Sequence, residues 1–511
     1  MKYLYVIAFS CFSIFSHAQS KQDYIWMFGL DASSSEQDLA YRFDFNNIPF
    51  EVFESNNGLG FSSVNASVCG VGGDLLFYTN GCAVLNSNAE VMPNGDSLNY
   101  DIWMEVFNWD NCRYGYPGFQ DIMILNHPGN TDLFYILHKT IMYNGPGELD
   151  SITLKATVVD LSMNGGLGDV IEKNTTVYAD SNSLVSYLTA IQHSNGIDWW
   201  VIQPLVEDST FLTYLISENG IERQENQNTR QYFNRYRSSA SGTAKFSPDG
   251  TKYALYNFYD QLHVYDFDRV TGLLSNHQKI EIYDEGDIDV EDIRFSSVEW
   301  SPNSRFIYTT SRDNLHQIDM WEDNPQEGVR LIDTYNGTQD PFSTTFFLMA
   351  QGPDCRIYIC PTSGTNSYHV INHPDELGTA CDFVQNGIAL PRPSGAGSFP
   401  NFPRFRVDEA DKCDPTIVSV LGNEVYYRRD LEVFPNPTSG MFQVEMPELK
   451  MAKIVVTNIY GAVLYERTLS GFSYAEEVDI TNLPNGIYNI EVYPRDSRER
   501  IFYARQVMKV K

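Results

Sequence analysis

A turn followed by an aromatic-rich strand recurs along most of this 511-residue chain and constrains its fold more than any other feature. Successive copies of the strand lie 50 to 65 residues apart. The six copies are Leu75-Leu76-Phe77-Tyr78, Leu133-Phe134-Tyr135, Trp199-Trp200-Val201, Tyr253-Ala254-Leu255-Tyr256, Phe306-Ile307-Tyr308 and Ile357-Tyr358-Ile359. A near-constant period close to fifty, with several strands in each unit, is typical of a β-propeller.

The turns of the later units support this interpretation. Phe246-Ser247-Pro248-Asp249-Gly250 recurs as Trp300-Ser301-Pro302-Asn303-Ser304 and as Gln351-Gly352-Pro353-Asp354-Cys355. Pro-Asp-Gly favours a tight turn. Strand-like segments at 24–54 and 388–407 flank the six units, and we predict that they share one blade and clasp the ring. Seven blades is the preferred count, with six or eight open, and a pair of β-sandwiches is the alternative fold.

Charge divides the chain in two. Residues 19–430 carry 25 basic and 56 acidic side chains, whereas residues 431–511 carry nine and ten. A polar, proline-containing stretch joins the two parts, as a linker would. We therefore predict an all-β chain with a propeller over 19–407, a linker over 408–430 and a small Ig-like antiparallel sandwich over 431–511. Such acidity argues against nucleic acid as a partner.

The N-terminus has the pattern of an export signal. Lys2 precedes an apolar run from Tyr3 to Phe15, and small residues then stand three places and one place before a cleavage point between Ala18 and Gln19. The run is shorter than the roughly 20 apolar residues that span a bilayer. Residues 1–18 are therefore predicted to be a signal peptide.

Export to an oxidising compartment permits disulfides, and seven cysteines follow the signal. Their clustering predicts one local pair among Cys69, Cys82 and Cys112. A second pair is expected among Cys355, Cys360 and Cys381. Because seven is odd, at least one thiol stays free. No spacing typical of a zinc site is present.

Three motifs in the last segment are specific enough to indicate a particular kind of domain. They are Pro435-Asn436-Pro437-Thr438-Ser439-Gly440, then Leu483-Pro484-Asn485-Gly486-Ile487-Tyr488, then the basic Lys509 and Lys511. The segment resembles the type A C-terminal sorting domain of the type IX secretion system. That resemblance implies contact with the type IX machinery, removal of the domain after outer-membrane passage, and release or attachment to surface lipopolysaccharide.

The large region also resembles a known group. The blocks that carry the resemblance are Asp74–Cys82 with Val91–Asp96, Asp160–Val170, His193–Val201 and Gly397–Pro403. They are similar to blocks in large secreted propeller proteins of the Bacteroidota. The resemblance implies a lactonase-like or WD-type propeller and supplies no catalytic residues.

Two segments are candidates for binding. The first is an aromatic insertion outside the repeat, because long loops on a propeller face often carry function; its residues are Trp103, Trp109, Tyr114, Tyr116 and Phe119. The second is an acidic run in which Asp287, Asp289 and Glu291 share one strand face and could hold Ca²⁺. No cofactor other than calcium is suggested.

Familiar catalytic patterns are absent from the sequence, including H-E-x-x-H and G-x-S-x-G. The leading hypothesis is a secreted or cell-surface propeller that binds glycan or protein without catalysis. The alternative is a propeller enzyme acting on polysaccharide or lactone, with its site in the central channel. A third hypothesis is an inert scaffold of a surface assembly.

Overall fold

A computed structural model describes residues 20–510 except 30–39, 48–49, 56–57, 62, 100–114, 146–147, 181–185, 206–208, 230–241, 284–294, 391–392, 395–397, 408–426, 431, 450–451, 459–461, 470–472 and 495–500. Within these residues the chain is built from strands and turns, with 3-10 turns at Asn164–Gly166, Pro325–Gly328 and Gly378–Cys381. The predicted all-β class is confirmed. None of the described segments is a helix long and apolar enough to cross a membrane.

Among the described residues, the large region has six separate antiparallel sheets, and its first three strands belong to an eight-stranded sheet that continues into the C-terminal part. Together they form seven blades, in agreement with the predicted count. Blade 1 contains β1 Ile25–Phe28, β2 Ala40–Asp44 and β3 Glu51–Ser55. Blade 2 contains β4 Ala66–Cys69, β5 Leu75–Thr79 and β6 Val84–Asn86. Blade 3 contains β7 Ile122–Asn126, β8 Leu133–Gly145, β9 Glu148–Asp160 and β10 Asp169–Asp180. Blade 4 contains β11 Thr189–Gln192, β12 Trp199–Pro204, β13 Thr210–Ser217, β14 Gly220–Arg223 and β15 Gln227–Asn228. Blade 5 contains β16 Gly242–Phe246, β17 Lys252–Asn257, β18 Gln261–Asp268 and β19 Leu273–Ile280. Blade 6 contains β20 Ser296–Trp300, β21 Phe306–Ser311, β22 Asn314–Asp319 and β23 Val329–Thr334. Blade 7 contains β24 Met349–Gln351, β25 Ile357–Ile359, β26 Ser367–Ile371 and β27 Phe383–Ala389.

Apolar cores between neighbouring blades close the ring. Separate clusters of buried side chains join blades 4 and 5, blades 5 and 6, and blades 6 and 7. Others join blade 1 to blade 2, and blades 2 to 4 to one another. The last core joins blade 7 to blade 1 and is rich in aromatic rings, including Trp26, Phe43 and Tyr358. Ring closure in this way leaves few exposed strand edges.

The repeated turn predicted from the sequence has one geometry in three blades. The amide of Gly250 donates to Ser247 O, that of Ser304 to Ser301 O, and that of Cys355 to Gly352 O, at 2.9, 2.9 and 3.2 Å. The donor residue has a positive φ in every case, 71°, 61° and 70°. Glycine adopts that conformation without cost, whereas serine and cysteine tolerate it here within a fixed turn.

A two-layered sandwich follows the ring. One sheet contains β29 Glu432–Phe434, β30 Met441–Leu449 and β33 Ser473–Asp479. The other contains β31 Ala452–Asn458, β32 Val463–Thr468, β34 Gly486–Pro494, β35 Ile501–Lys509 and the preceding β28 Tyr427–Asp430. Phe442, Ile454, Val478 and Ile490 are among the side chains buried between the layers. Strand β28 also pairs with β3 of blade 1 through Tyr427 and Val52.

Candidate functional site

The sorting motifs of the C-terminal sandwich meet around Lys509. Its ammonium group donates to Thr481 O at 2.7 Å and also to Leu483 O, so the basic motif is bound to the Leu-Pro-x-Gly-x-Tyr turn. Tyr488 holds the same turn, because its hydroxyl donates to Pro484 O at 2.6 Å. Only 7% of the Lys509 residue surface is exposed. The Lys509 side chain is therefore buried in the domain, where it stabilises this turn.

The Pro-Asn-Pro motif is fixed to the final strand. Asn436 Nδ2 donates to Gln506 O at 2.8 Å, and its Oδ1 accepts from Met508 N at 2.9 Å. Four residues later, Gly440 has a φ of 125°, and a Cβ there would lie 2.8 Å from the Cα of Thr481. A side chain at 440 would clash with the turn that Lys509 caps. Pro435 and Pro437 are exposed, as is Gly486, and Lys511 lies outside the described residues.

The centre of the propeller is the second place where distant parts of the chain converge. Residues 398–407 follow the last blade and run along the innermost strands. Asn401 Nδ2 donates to Ile122 O and Leu188 O, both at 3.0 Å, so it touches blades 3 and 4 at once. Arg404 N donates to Ala190 O at 2.8 Å. The chain thus fills its own central channel.

The same segment connects the first and last parts of the ring. Phe399 and Phe402 lie 5.3 and 6.1 Å from the ring of Trp26 in β1. Arg406 forms a two-pronged ion pair with Asp23, just before β1. No ladder joins 398–407 to β1 in the described part of the chain. The two end pieces meet through side chains, but the prediction that they share one blade is wrong. Within the described residues, β1 pairs with β2, whereas residues 388–389 belong to β27 of blade 7.

Charged groups in the channel are paired with one another. Glu299 on blade 6 lies 3.2 Å from Arg404 and 3.6 Å from Lys245 on blade 5. Arg404 also donates to Gln351 Oε1 at 2.7 Å and to Phe246 O at 3.0 Å. Burial lowers the pKa of Lys245, and Glu299 opposes that shift. These contacts satisfy Glu299, so it is poorly placed to act as a general base.

Two small cavities lie beside these groups in the described part of the chain. One has a volume of about 20 Å³ and is lined by Gln120, Lys245 and Asn401, among others. The other has a volume of about 40 Å³ and is lined by Asp23, Lys245, Glu299, Gln351 and Arg404, among others. A site of that size holds about three water molecules and is too small for a sugar ring or a lactone. This cluster was not predicted from the sequence, because its members come from five separate parts of the chain.

A second buried pair lies near the start of blade 3. Lys139 Nζ is 3.2 Å from Asp121 Oδ1, and both side chains are essentially fully buried. The carboxylate also accepts from Ser186 N at 2.6 Å, and the ammonium group donates to Ser186 O. Burial raises the pKa of Asp121 and lowers that of Lys139, while their mutual attraction opposes both shifts. The partners named here are all internal to the chain, which indicates a structural role.

The predicted aromatic surface needs correction at Tyr116. Its side chain is fully buried in the core shared by blades 2 to 4, because its backbone pairs with Asn80 and Val64 and draws the ring inward. Phe119 is partly exposed and packs against Phe295 and Phe347, at 5.3 and 4.8 Å. The remaining predicted ligand-surface residues, Trp103, Trp109 and Tyr114, lie outside the described residues.

Two other predicted sites also lie outside the described residues. They are the calcium candidates Asp287, Asp289 and Glu291, and the signal cleavage point at Ala18 and Gln19. Across the described part of the chain, no group of three or more His, Cys, Asp or Glu side chains is arranged to hold a metal ion.

The cysteines differ from the prediction in one cluster. Cys360 and Cys381 are free thiols, so no pair forms within the Cys355, Cys360 and Cys381 group. The reason is positional: Cys360 lies in the core between blades 7 and 1, and Cys381 in the core between blades 6 and 7. Cys69 is free as well. Cys82 and Cys355 each take part in a disulfide. Cys112 lies outside the described residues.

Comparison with known proteins identifies the C-terminal segment. Residues 432–500 match the model of the Secretion system C-terminal sorting domain. This domain marks proteins that type IX secretion exports to the cell surface or the extracellular space, and that is where this protein is exported. No curated protein has a significantly similar sequence.

The solved structures that are similar to this chain have low sequence identities and TM-scores. A protein from Lactobacillus plantarum is 12% identical, with a TM-score of 0.36 over 74% of this chain and 99% of that one. The periplasmic gluconolactonase PpgL of Pseudomonas aeruginosa is 10% identical, with a TM-score of 0.37 over 74% and 99%. A protein from Desulfotomaculum acetoxidans is 10% identical, with a TM-score of 0.39 over 74% and 99%. Similarity at this level says nothing about activity.

Proposed function

We propose that the propeller is a secreted or surface-displayed binding module for glycan or protein, without catalysis of its own. The observation that carries this proposal is the filled central channel. Residues 398–407 occupy the place where an enzyme of this fold would assemble a site from several blades, and Arg404 neutralises Glu299 there. A ligand is then left with the faces of the ring, where turns and loops are exposed.

The export route forms the second part of the proposal. Residues 1–18 direct the chain to the periplasm and are removed between Ala18 and Gln19. The type IX machinery then recognises the sandwich, and cleavage in the 408–430 linker leaves the propeller released or attached to lipopolysaccharide. The matched sorting domain supports this route, and the resemblance of the large region to secreted Bacteroidota propellers agrees with it.

Arrays of glycans and extracellular proteins, probed with the mature protein from the producing cells, test the binding role. We expect saturable binding to at least one class of ligand, and no turnover of lactones or polysaccharides with or without Ca²⁺. The proposal fails if the protein hydrolyses or cleaves such a substrate; Glu299→Gln, shown by thermal unfolding to remain folded, then tests whether the channel carries the reaction. It also fails if no array component binds.

A further inference from the structure

The charged cluster that lines the larger cavity of the central channel has one positive side chain in excess among the described residues. Its cations are Lys245, Arg404 and Arg406, and its anions are Asp23 and Glu299. Arg404 lies 3.2 Å from Glu299, and Arg406 forms an ion pair with Asp23. Each carboxylate therefore has an arginine, and Lys245 is the additional cation. Because a buried charge is costly without a counter-charge, the cluster favours one more negative charge.

Lys245 is only loosely paired. Its Nζ is 3.6 Å from Glu299 Oε2, which is longer than a normal hydrogen bond, and this is its only ion pair in the described part of the chain. The Glu299 carboxylate is also used by other donors, because it accepts from the backbone amides of Trp300 at 3.0 Å and Gln351 at 3.4 Å. An ammonium group has three donors. The protein contacts described here therefore leave Lys245 with donors for a ligand.

Both small cavities of the channel have Lys245 in their walls. In the larger one, the cations present more surface than the anion between them, since the side chains of Lys245 and Arg404 are each 15% exposed and that of Glu299 is 2% exposed. Gln351 lines the same cavity, and its Oε1 accepts from Arg404 at 2.7 Å, so its Nε2 group remains as a further donor. Such a wall suits a ligand that accepts hydrogen bonds and carries negative charge.

The pKa shifts of the two central cations agree with this charge count. Burial lowers the pKa of Lys245 and of Arg404, and attraction to Glu299 offsets each shift only in part. Repulsion between cations adds to the effect, because Arg404 lowers the pKa of Lys245 and Arg406 lowers that of Arg404. An anion beside Lys245 would oppose all of these shifts.

The volume and charge of the larger cavity restrict the ligand to a small monovalent anion. The cavity has about 40 Å³, room for about three water molecules. Water alone can complete the hydrogen bonds of Lys245 but leaves the excess charge uncompensated. Sulfate would bring two negative charges where one is lacking, and a sugar acid is too large for the volume.

We propose that the central channel is a binding site for one chloride ion, held by Lys245 with Gln351 and Arg404 around it. Lys245 belongs to blade 5, Gln351 to blade 7 and Arg404 to the segment that follows blade 7. The ion therefore connects three parts of the ring that are distant in sequence. Its role is to stabilise the closed ring, and it is separate from any ligand on the outer faces.

Urea unfolding of the mature protein in sodium chloride and in sodium gluconate, both at an ionic strength of about 0.3 M, tests the site. Gluconate is too large for the cavity. Because the ion binds the folded chain, the folded-to-unfolded ratio should rise with chloride and reach about tenfold where chloride is about nine times its dissociation constant. Crystals soaked in sodium bromide should show an anomalous peak in contact with Lys245 Nζ.

Two variants remove the site in different ways. Lys245→Met removes the excess charge and should lose both the chloride dependence and the bromide peak. Gln351→Glu builds the missing negative charge into the wall and keeps an oxygen for Arg404, so it should fold and lose them as well, even if Lys245→Met does not fold. The control is Lys252→Met, because Lys252 on the same blade pairs with Asp266 at the surface, where the two side chains are 34% and 41% exposed. It should keep the full chloride dependence.

The inference is overturned if the wild type unfolds identically in the two salts at every concentration. It is also overturned if bromide binds only at the protein surface, which would make it an adventitious ion, or if Gln351→Glu keeps the chloride dependence of the wild type. Equal loss of that dependence in Lys252→Met would show a general effect of charge and would likewise remove the channel site.

Discussion

Arg404 reaches across the middle of the propeller to Glu299, with 3.2 Å between Nη2 and Oε1. The two residues are 105 positions apart in sequence, and their contact ties the segment after the last blade to the innermost strand of blade 6. Lys245 on blade 5 shares the same carboxylate. The channel segment is therefore part of the structure that keeps the blades together.

Replacing Arg404 should destabilise the ring. Arg404→Ala leaves Glu299 with Lys245 and with the backbone amides of Trp300 and Gln351. It also removes the hydrogen bonds from Arg404 to Gln351 Oε1 and Phe246 O. Breaking a buried pair on one side costs about 3–5 kcal/mol of unfolding free energy. Urea unfolding followed by tryptophan fluorescence measures the loss.

Lys279→Ala serves as the control for this variant. Lys279 and Glu281 form an exposed pair at 3.7 Å, and removal of such a pair changes stability by less than about 1 kcal/mol. Equal, small effects of the two substitutions would show that the channel segment contributes little to closure of the ring.

The sequence predicted the frame of the molecule well, because local chemistry encodes it. Pro-Asp-Gly and its variants specify turns whose residues are adjacent in the chain, and the positive φ at Gly250 and Ser304 follows from that local pattern. The motifs of the sorting domain could be recognised for the same reason. That Lys509 caps the carbonyls of Thr481 and Leu483 was not predictable, since it depends on how the sandwich folds.

The charged contacts in the channel could not be predicted from the sequence for a related reason. Arg404-Phe405-Arg406 alternates charged and aromatic residues as an ordinary exposed strand would. Only the ring geometry reveals that its arginines face Glu299 and Asp23. Tyr116 shows the opposite error, because an aromatic residue in a long insertion suggested a surface and its ring lies in the core.

Buried histidines should make the protein sensitive to acid. Burial lowers the pKa of His138, His263 and His369 to about 3 each. In the unfolded chain histidine takes up a proton near pH 6.5. The stability contributed by the neutral, buried form is therefore complete above about pH 6.5 and is lost as the pH falls towards 3.

His138→Gln isolates one of these groups. We expect the unfolding free energy of the variant to change less steeply with pH than that of the wild type, by about 1.4 kcal/mol per pH unit between pH 4 and 6. Chemical unfolding at half-unit steps of pH gives the slope. His373→Gln, at an exposed position, is the control, and a slope for His138→Gln equal to that of the wild type would contradict the prediction.

Lys509 should be needed for export through its structural role. Lys509→Met keeps most of the volume but leaves the carbonyls of Thr481 and Leu483 without their donor. One buried unsatisfied group costs about 1–3 kcal/mol, so the sandwich should unfold more easily and the protein should accumulate in the periplasm. Immunoblots of periplasm, surface and medium, with thermal unfolding of the purified chain that still carries the sandwich, report both effects.

The matched control is Lys453→Met. Lys453 lies on the same sandwich but pairs with Glu466 on the surface, 42% and 50% exposed, so its loss should change neither stability nor location. Normal stability of Lys509→Met together with failed export would mean instead that the machinery contacts this lysine directly.

Thiol accessibility tests the distribution of cysteines. Cys69, Cys360 and Cys381 are buried, and burial raises the pKa of all three thiols, so few thiolates are present to react. We expect the native protein to resist iodoacetamide at pH 8. Unfolding in urea without a reductant should expose these three thiols, and mass spectrometry of tryptic peptides should find them alkylated.

Cys82 and Cys355 provide the internal contrast. Both are disulfide-bonded, so they should be alkylated only when a reductant is added to the unfolded protein. Alkylation of Cys355 before reduction, or failure of Cys360 and Cys381 to react in urea, would restore the pairing that chain proximity suggests. Separation of these two thiols into different inter-blade cores is the physical reason to expect the opposite.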